Sequence, residues 1–281
     1  MSRFTRTSIA HIVALAVATG SLIAAPLVAS PAAAATGSVW DARQIDGVPN
    51  SFYWAVIVGV TDYAGSTGDS FGSAQDAWAL RDYLLSLGWR PDHIYMVTSL
   101  SASRYQILRA IGWLASKSNS RSLAVFHYSG HEKPFRTWAD GDGETQDVAI
   151  WASDNRYILD GELGRELGRV NAYRMWIHIS ACRAAGFSDP GMSKPNRVIT
   201  WASAPFELAF VTPALGHTWF GYFTIVDGMR NKRADANRDG KVSVEEAFWY
   251  SRGPVMSYTQ GRQHPWMSDR WSGEFTLAPP R

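Results

Sequence analysis

Two residues that together could carry out nucleophilic catalysis each follow a short apolar run of the chain. Cys182, the single cysteine of 281 residues, lies in Ile179-Ser-Ala-Cys-Arg-Ala-Ala-Gly186, and His131, 51 residues earlier, ends Tyr128-Ser-Gly-His131. A free thiol has a pKa of about 8.5 and needs a neighbouring imidazole to become an effective nucleophile at neutral pH. The two residues therefore predict a cysteine enzyme in which Cys182 attacks a carbonyl and His131 protonates the leaving amine.

The elements that must position this pair alternate between strands and helices. Short runs rich in β-branched and aromatic residues predict strands at 52–60, 93–97, 123–129, 175–180 and 198–202. Apolar residues at helical spacing predict helices at 74–87, 103–117 and 161–170. This rhythm is typical of an α/β fold with a mostly parallel sheet and helices on both faces, which binds ligands beyond the carboxyl ends of its strands. His131 and Cys182 each stand just beyond such an end.

The first 35 residues have the pattern of a secretory signal peptide. Two arginines precede an apolar stretch from Ile9 to Val28, and an alanine run offers a cleavage site near Ala34 or Ala35. The alternative is an uncleaved membrane anchor, because the stretch approaches the roughly 20 residues that a spanning helix needs. We therefore expect a secreted, extracellular protein in which a polar lead-in over residues 36–50 precedes one domain over residues 51–281.

Composition narrows the classes of partner. The chain carries 27 basic and 25 acidic residues, and the two arginines of the leader account for the excess. A balanced charge favours neither nucleic acid nor an anionic membrane as a partner. The 13 tryptophans are spread along the chain, which favours packing roles over a carbohydrate-binding surface. We expect a protein or peptide substrate and no organic cofactor, while the sequence leaves the oligomeric state open.

Structural explanations exist for the cysteine and for the other histidines. Free cysteines are among the most buried residue types, so Cys182 is also explained as a small core side chain. His127 and His178 lie inside predicted strands, where we expect hydrogen-bonded core residues. No role is assigned to His93, His217 and His264, which have no flanking motif.

The residues around the pair resemble those of the caspase-like cysteine peptidases, which include caspases, metacaspases and legumains. The similarity rests on Tyr128-Ser-Gly-His131 followed about 50 residues later by Ser180-Ala-Cys-Arg-Ala-Ala-Gly-Phe187. Further similarity at 54–63, 74–77 and 200–209 extends it over about residues 52–252. The resemblance implies a three-layer α/β/α sandwich, endopeptidase activity through a His131/Cys182 dyad, and an oxyanion held by the backbone amides of Cys182 and Glu132.

Two positions depart from the pattern of that family. The family has Gly after the catalytic His, whereas this chain has Glu132, whose side chain would crowd the oxyanion site and whose charge would disfavour a nearby anion. The residue two before the cysteine helps to form the pocket for the P1 side chain, and it is acidic in metacaspases and legumains and Gln in caspases. Ser180 occupies that substrate-binding position here, so no P1 preference carries over.

A second motif predicts a calcium site. Residues 235–246, Asp-Ala-Asn-Arg-Asp-Gly-Lys-Val-Ser-Val-Glu-Glu, fit the twelve-residue EF-hand loop, whose oxygen ligands suit a hard cation. Gly240 allows the sharp turn, and the predicted ligands are the side chains of Asp235, Asn237, Asp239, Ser243 and Glu246 with the carbonyl of Lys241. The alternative is a solvated turn that caps a helix over 244–251. A lone loop of this kind predicts a structural calcium ion rather than a paired sensor.

Another acidic cluster lies between His131 and Cys182. It consists of Asp140-Gly-Asp-Gly-Glu144 with Asp147, and it lacks the last carboxylate of an EF-hand because Trp151 falls at that place. We expect a solvated loop there, with a substrate-selecting role or a weak calcium site as the alternatives.

Three functions compete on these observations. The leading hypothesis is a secreted cysteine endopeptidase with a structural calcium ion, in which the pKa of Cys182 lies well below its usual value. The rival is a catalytically silent member of the fold that acts as an extracellular binding protein, which the unusual Glu132 and Ser180 motivate. A zinc site formed by His131, Glu132 and Cys182 ranks last, since it lacks a fourth ligand at the usual spacing.

Overall fold

Alternating strands and helices build the domain, as the sequence predicts. The computed structural model describes residues 50–137, 141, 143–144 and 146–279. The strands are β1 (Tyr53–Gly59), β2 (Ile94–Thr98), β3 (Leu123–Ser129), β4 (Glu132–Pro134), β5 (Val148–Trp151), β6 (Tyr157–Leu159), β7 (Arg174–Ser180), β8 (Arg197–Trp201), β9 (Val211–Thr212), β10 (His217–Thr218) and β11 (Trp266–Asp269). The predicted leader and all of the lead-in except Asn50 lie outside the described residues.

The helices follow the strands closely along the chain. They are α1 (Ser73–Ser86), α2 (Arg104–Lys117), α3 (Asp160–Gly168), α4 (Trp219–Gly221), which continues as a π-helix over Tyr222–Arg230, and α5 (Val244–Tyr258). Short 3₁₀ turns lie at Pro91–His93, Ser99–Ser101 and Ala184–Gly186. None of the helices in the described part of the chain is both long enough and apolar enough to cross a bilayer.

The central sheet has the order β11-β8-β7-β3-β1-β2. Its neighbouring strands pair in parallel except for β11, which runs antiparallel to β8 at one edge. All seven residues of β3 and all seven of β7 are buried. Strands buried on both faces have no polar alternation, which explains their nearly continuous apolar runs. The prediction of a mostly parallel sheet is confirmed.

Helices cover both faces of this sheet, so the predicted three-layer α/β/α sandwich is also confirmed. Alternate residues of a strand point to opposite faces. Val56 and Val58 of β1 belong to the core that includes Ile107 and Ile111 of α2 and Leu163 of α3. The intervening Ala55 and Ile57 belong to the opposite core, with Leu80 of α1, Ile225 of the π-helix and Val244 of α5.

The close approach of α1 to the end of β1 positions part of the site. A Cβ on Gly59 would lie 2.6 Å from the Ala77 Cβ and 2.6 Å from the Ser73 carbonyl oxygen. Only glycine leaves room for this contact, since real Cβ atoms do not approach so closely. The first turns of α1, including Asp76, are thereby brought against the carboxyl edge of the sheet.

The sequence analysis did not predict the shortest strands. β4, β5 and β6 form a separate antiparallel sheet directly after His131, and β9 pairs with β10 in a two-residue ladder. Runs of two to four residues carry too little periodicity to be recognised, and tertiary packing selects their partners. The small β4–β6 sheet matters for function because its first residue is Glu132.

Candidate active site

The register between β3 and β7 places the two candidate catalytic residues at the same edge of the sheet. Ser129 and Ser180, the last residues of these strands, are partners across the parallel ladder. His131 and Cys182 each follow by two residues, so they leave adjacent strands at the same edge of the sheet. The Gly130 amide donates to the Ser180 carbonyl at 3.3 Å and links the two turns.

His131 is held through both its backbone and its ring. Its amide donates to the Tyr63 hydroxyl at 2.7 Å, and its carbonyl accepts from the Tyr128 hydroxyl at 2.5 Å. Ring Nε2 lies 2.9 Å from the Gly68 carbonyl oxygen. A carbonyl only accepts, so Nε2 carries the proton of the neutral ring and Nδ1 keeps its lone pair. Nδ1 is therefore the atom that can take a proton from a thiol.

Cys182 is partly buried, and its sulfur contacts Ala209. The Ala209 amide nitrogen lies 3.4 Å from Sγ, and the Ala209 carbonyl oxygen lies 3.8 Å from it. Burial raises the pKa of the Cys182 thiol and the Glu132 charge adds to this, whereas the Ala209 contact and Arg183 lower it. The expectation of a low thiol pKa is therefore wrong for this arrangement, in which the protonated thiol is the resting form.

Glu132 occupies the position where a glycine was expected, and an arginine compensates for it. The Glu132 side chain is fully buried, and its Oε2 lies 2.8 Å from the guanidinium of Arg183, the residue after Cys182. Burial raises the pKa of Glu132 to about 7, while the ion pair with Arg183 lowers it. A buried carboxylate is strongly destabilising without a partner. Arg183 is thus the residue that makes a charge beside the nucleophile tolerable.

Sequence reasoning missed the role of Arg183. The available signal in the sequence was the basic Arg183 directly after Cys182, because its charge is opposite to that of Glu132. The pairing itself depends on the backbone, because Arg183 adopts a left-handed conformation with φ of 46° that sequence does not announce for an arginine. That the backbone amides of Cys182 and Glu132 donate hydrogen bonds to the oxyanion stays a prediction.

A buried carboxylate links the ends of β3 and β7. Asp76 accepts from the Ser129 hydroxyl at 3.0 Å and from the Thr218 hydroxyl at 2.6 Å, and it pairs with Nδ1 of His217 at 2.9 Å. The Thr218 hydroxyl lies 2.9 Å from that of Ser180. The Ser180 side chain, predicted to bind substrate, is therefore part of a buried network that anchors both strand ends. Its substrate-binding role stays a prediction.

The charge balance of this network was not visible in the sequence. Burial raises the pKa of Asp76, and the hydrogen bonds and charge of its partners lower it. His217, to which sequence reasoning assigned no role, lies 141 positions from Asp76 along the chain. No local pattern connects residues so far apart.

The two strand histidines are core residues. His127 and His178 are fully buried and stack with ring centroids 5.1 Å apart. Burial lowers the pKa of His127 to about 3 and also lowers the pKa of His178, so both rings are neutral. His178 bonds to the Thr200 hydroxyl at 2.8 Å, as expected, whereas neither ring nitrogen of His127 has a hydrogen-bond partner.

The second acidic cluster is not a solvated loop at Asp147. Asp140 and Asp142 lie outside the described residues, but Asp147 is only 1 % exposed and Asp160 is fully buried. Burial raises the pKa of Asp160 to about 8, and the charges of Asp189 and Asp147 add to the effect. The expectation of a solvated loop is therefore wrong at this residue, and three acidic side chains influence one another below the surface.

The loop at 235–246 has the internal hydrogen bonds of a tight acidic turn. The amides of Gly240, Asp239 and Lys241 donate to side-chain oxygens of Asp235, Asn237 and Asp239 at 3.1, 2.9 and 2.8 Å. Gly240 has the left-handed φ of 86° that the motif requires. Asp235 Oδ1 is buried without a hydrogen-bond partner, an acceptor that a cation would satisfy.

The alternative interpretation of this loop also has support. Ser243 and Glu246 form a capping box at the start of α5, in which each side chain accepts from the other's backbone amide. The Glu246 carboxylate additionally accepts from the amides of Ala236 and Asn237. Within the described ranges, no group of three or more His, Cys, Asp or Glu side chains converges as a metal ion requires.

The family model and the curated relatives that match this chain point to the same protein family. A family model described as the caspase domain, Peptidase_C14, matches residues 53–272. Metacaspase-3 of Arabidopsis thaliana is 29 % identical over 161 residues, which cover 52 % of this chain and 44 % of that protein. Metacaspase-1 of Candida glabrata is 31 % identical over 100 residues, covering 33 % of this chain and 24 % of that protein. The chain thus spans less than half the length of these curated relatives.

A solved structure supports the fold independently. The crystal structure of a protein from Geobacter sulfurreducens matches with a TM-score of 0.58 and 13 % identity, and the match covers 77 % of this chain and 92 % of that one. At this identity the likeness concerns the fold alone.

A double-mutant cycle tests the charge compensation beside Cys182. We expect Arg183→Gln to slow alkylation of Cys182 by iodoacetamide at pH 7 about tenfold, because it removes the positive charge that lowers the thiol pKa. Glu132→Gln alone should speed alkylation, because the Glu132 charge raises the thiol pKa. The double variant should react like Arg183→Gln, because loss of Arg183 raises the pKa of Glu132 above about 7 and leaves that carboxyl neutral at pH 7. The pH dependence of the alkylation rate gives the thiol pKa of each variant. Strictly additive single effects would contradict the pairing.

Proposed function

The chain belongs to the caspase-domain family of cysteine peptidases, and we propose that it hydrolyses peptide bonds with Cys182 as nucleophile and His131 as acid and base. One observation carries the proposal, which is the pairing of Ser129 with Ser180 that sets both residues at one edge of the sheet. The match covers most of the domain, whereas the chain spans only part of its curated relatives. The activity is therefore put forward for this chain on the basis of its own site.

The proposed reaction uses the hydrogen bond from the His131 ring to the Gly68 carbonyl, which leaves Nδ1 as the proton acceptor. Nδ1 of His131 takes the thiol proton while Sγ of Cys182 attacks the scissile carbonyl carbon. The imidazolium then gives this proton to the leaving amine, and the C–N bond breaks to leave a thioester. Water, deprotonated by the same imidazole, hydrolyses the thioester and restores the thiol. The Gly68 carbonyl orients the ring throughout and stabilises the imidazolium.

The raised pKa of the Cys182 thiol favours the rival function, which is a catalytically silent binding protein of the same fold. A thiol that is protonated at rest must transfer its proton as the substrate binds, so the site depends on His131 rather than on a preformed thiolate. Arg183 supports the active alternative, since it neutralises Glu132 beside the sulfur. The two functions differ in one measurement, which is cleavage.

Removing either catalytic side chain should abolish cleavage. We expect Cys182→Ala and His131→Ala to lower peptide hydrolysis by at least about 10³-fold with an unchanged fold, measured on a fluorogenic peptide library and by circular dichroism. Ser118→Ala, in the loop after α2 and away from the site, is a matched control. No turnover in the wild type, followed by a gain in Glu132→Gly, would favour the silent protein.

We further propose that the protein is secreted. The support is the sequence of residues 1–35, with its basic start, apolar middle and alanine run. N-terminal sequencing of protein recovered from the medium of the expressing cells tests this. A mature protein that starts near Thr36 agrees with the proposal, and retention of residue 1 on membrane-bound protein contradicts it.

Calcium is proposed as a structural ion of the loop at 235–246. Asp235, Asn237, Asp239, Ser243 and Glu246 would supply side-chain oxygens, and Lys241 would supply its carbonyl. The buried, unpartnered Asp235 Oδ1 and the left-handed Gly240 fit such an ion. The ion would add positive charge among carboxylates and stabilise the fold. Glu246 would exchange some of its present amide contacts for the ion.

Calcium should therefore raise the melting temperature. At a concentration tenfold above its Kd, the ion would contribute about 1.4 kcal/mol, and Glu246→Gln should remove this increment in differential scanning calorimetry. Asp82→Asn on the outer face of α1 is the matched control. An increment that survives Glu246→Gln but is lost in Asp160→Asn would instead assign the ion to the buried acids Asp147, Asp160 and Asp189.

A further inference from the structure

A cavity of about 540 Å³ opens beside Cys182. We propose that it binds a large apolar side chain of the substrate on the leaving-group side of the scissile bond. This inference rests on the proposed peptidase activity. It names a substrate preference that the sequence motifs do not determine, and that the unusual residues Glu132 and Ser180 do not determine either.

Three segments that line the cavity lie close in sequence to His131, to Cys182 or to Ala209. Pro134 to Arg136 follow His131, Arg183 and Ala185 follow Cys182, and Phe206 lies three residues before Ala209, whose amide contacts Sγ. These segments leave the carboxyl ends of neighbouring strands, where ligands of open α/β sheets bind. A bound peptide that reaches Cys182 therefore passes the mouth of this cavity.

The path of the chain after His131 assigns the cavity to the side of the leaving group. His131 gives its proton to the leaving amine, so the chain directly after His131 borders the part of the substrate that departs. That chain forms β4 and continues through Phe135 into the cavity wall. On the other side of Cys182, Ser180 is tied into the buried Asp76 network and leads away from the cavity.

The lining predicts an apolar occupant. Phe135, Phe206, Val148 and Ala185 form apolar walls, and Phe206 is 83 % exposed at the rim. An aromatic side chain this exposed gains most from a ligand that covers it. The lining also holds the charged residues Arg136, Glu144, Asp147 and Arg183, and Arg183 is paired with Glu132. The volume lies within the range of about 300–1,000 Å³ typical of ligand pockets and exceeds what Ala or Ser would fill.

Two measurements on the full chain test the subsite. In the first, a mixture of unlabelled peptides is digested, and mass spectrometry identifies the residues on both sides of each cut. We expect Phe, Tyr, Trp, Leu or Met to be enriched at the first or second position after the cut, about tenfold over Ala. The second follows binding of Phe-Ala-Ala amide and Ala-Ala-Ala amide by NMR titration, because their free amino ends resemble the leaving group. The phenylalanine peptide should bind about tenfold more tightly.

Two variants connect these preferences to the cavity. Phe206→Ala removes the apolar rim, and Ser188→Trp fills the cavity from an exposed position. Each should reduce the discrimination between the two peptides to about threefold or less. Tyr105→Ala, which removes another exposed aromatic side chain from the distant α2, should leave it unchanged.

The outcomes separate the two proposals. Equal binding of the two peptides by the wild type overturns the subsite, as does a preference that both cavity variants leave intact or that lies before the cut. Discrimination without any cleavage overturns the peptidase activity, and with it the assignment to the leaving-group side, whereas binding of an apolar side chain in the cavity stands. Cleavage with no preference after the cut supports the activity and overturns the subsite.

Discussion

The parallel pairing of β3 with β7 is the constraint on which the rest of the site depends. Parallel neighbours end at the same edge of a sheet, so residues at equal distances beyond the paired Ser129 and Ser180 become neighbours in space. Fourteen buried positions in the two strands hold this register, because a slip by one residue would reverse every side chain between the two cores. The site therefore inherits its precision from the hydrophobic core beneath it.

Two buried carboxylates lie at that same edge. Asp76 ties the ends of both strands to α1 and to His217, and Glu132 is neutralised by Arg183 beside the sulfur. Each of these carboxylates is destabilising alone and acceptable only with its partner. The Cys182 thiol therefore lies near one negative and one positive side chain, and burial raises its pKa so that it is protonated at rest.

Much of the architecture could be predicted from the sequence. The continuous apolar runs at 123–129 and 175–180 correspond to strands at Leu123–Ser129 and Arg174–Ser180, and the helical spacing at 74–87 corresponds to Ser73–Ser86. These long segments can be recognised in the sequence because their hydrophobic periodicity arises from burial. The short β4–β6 sheet, the buried position of Asp147 and the raised thiol pKa escaped prediction. Each of them depends on what packs against a residue from elsewhere in the chain.

The sequence by itself determined the order of the long strands and helices, the family resemblance and the identity of the candidate pair, because these follow from local patterns of burial and from residue types at fixed spacing. Only the tertiary structure decided that Arg183 neutralises Glu132, that His217 reaches Asp76 and that a cavity opens beyond Cys182. Electrostatic environment and cavity shape arise from contacts between residues distant along the chain, and no local pattern encodes them.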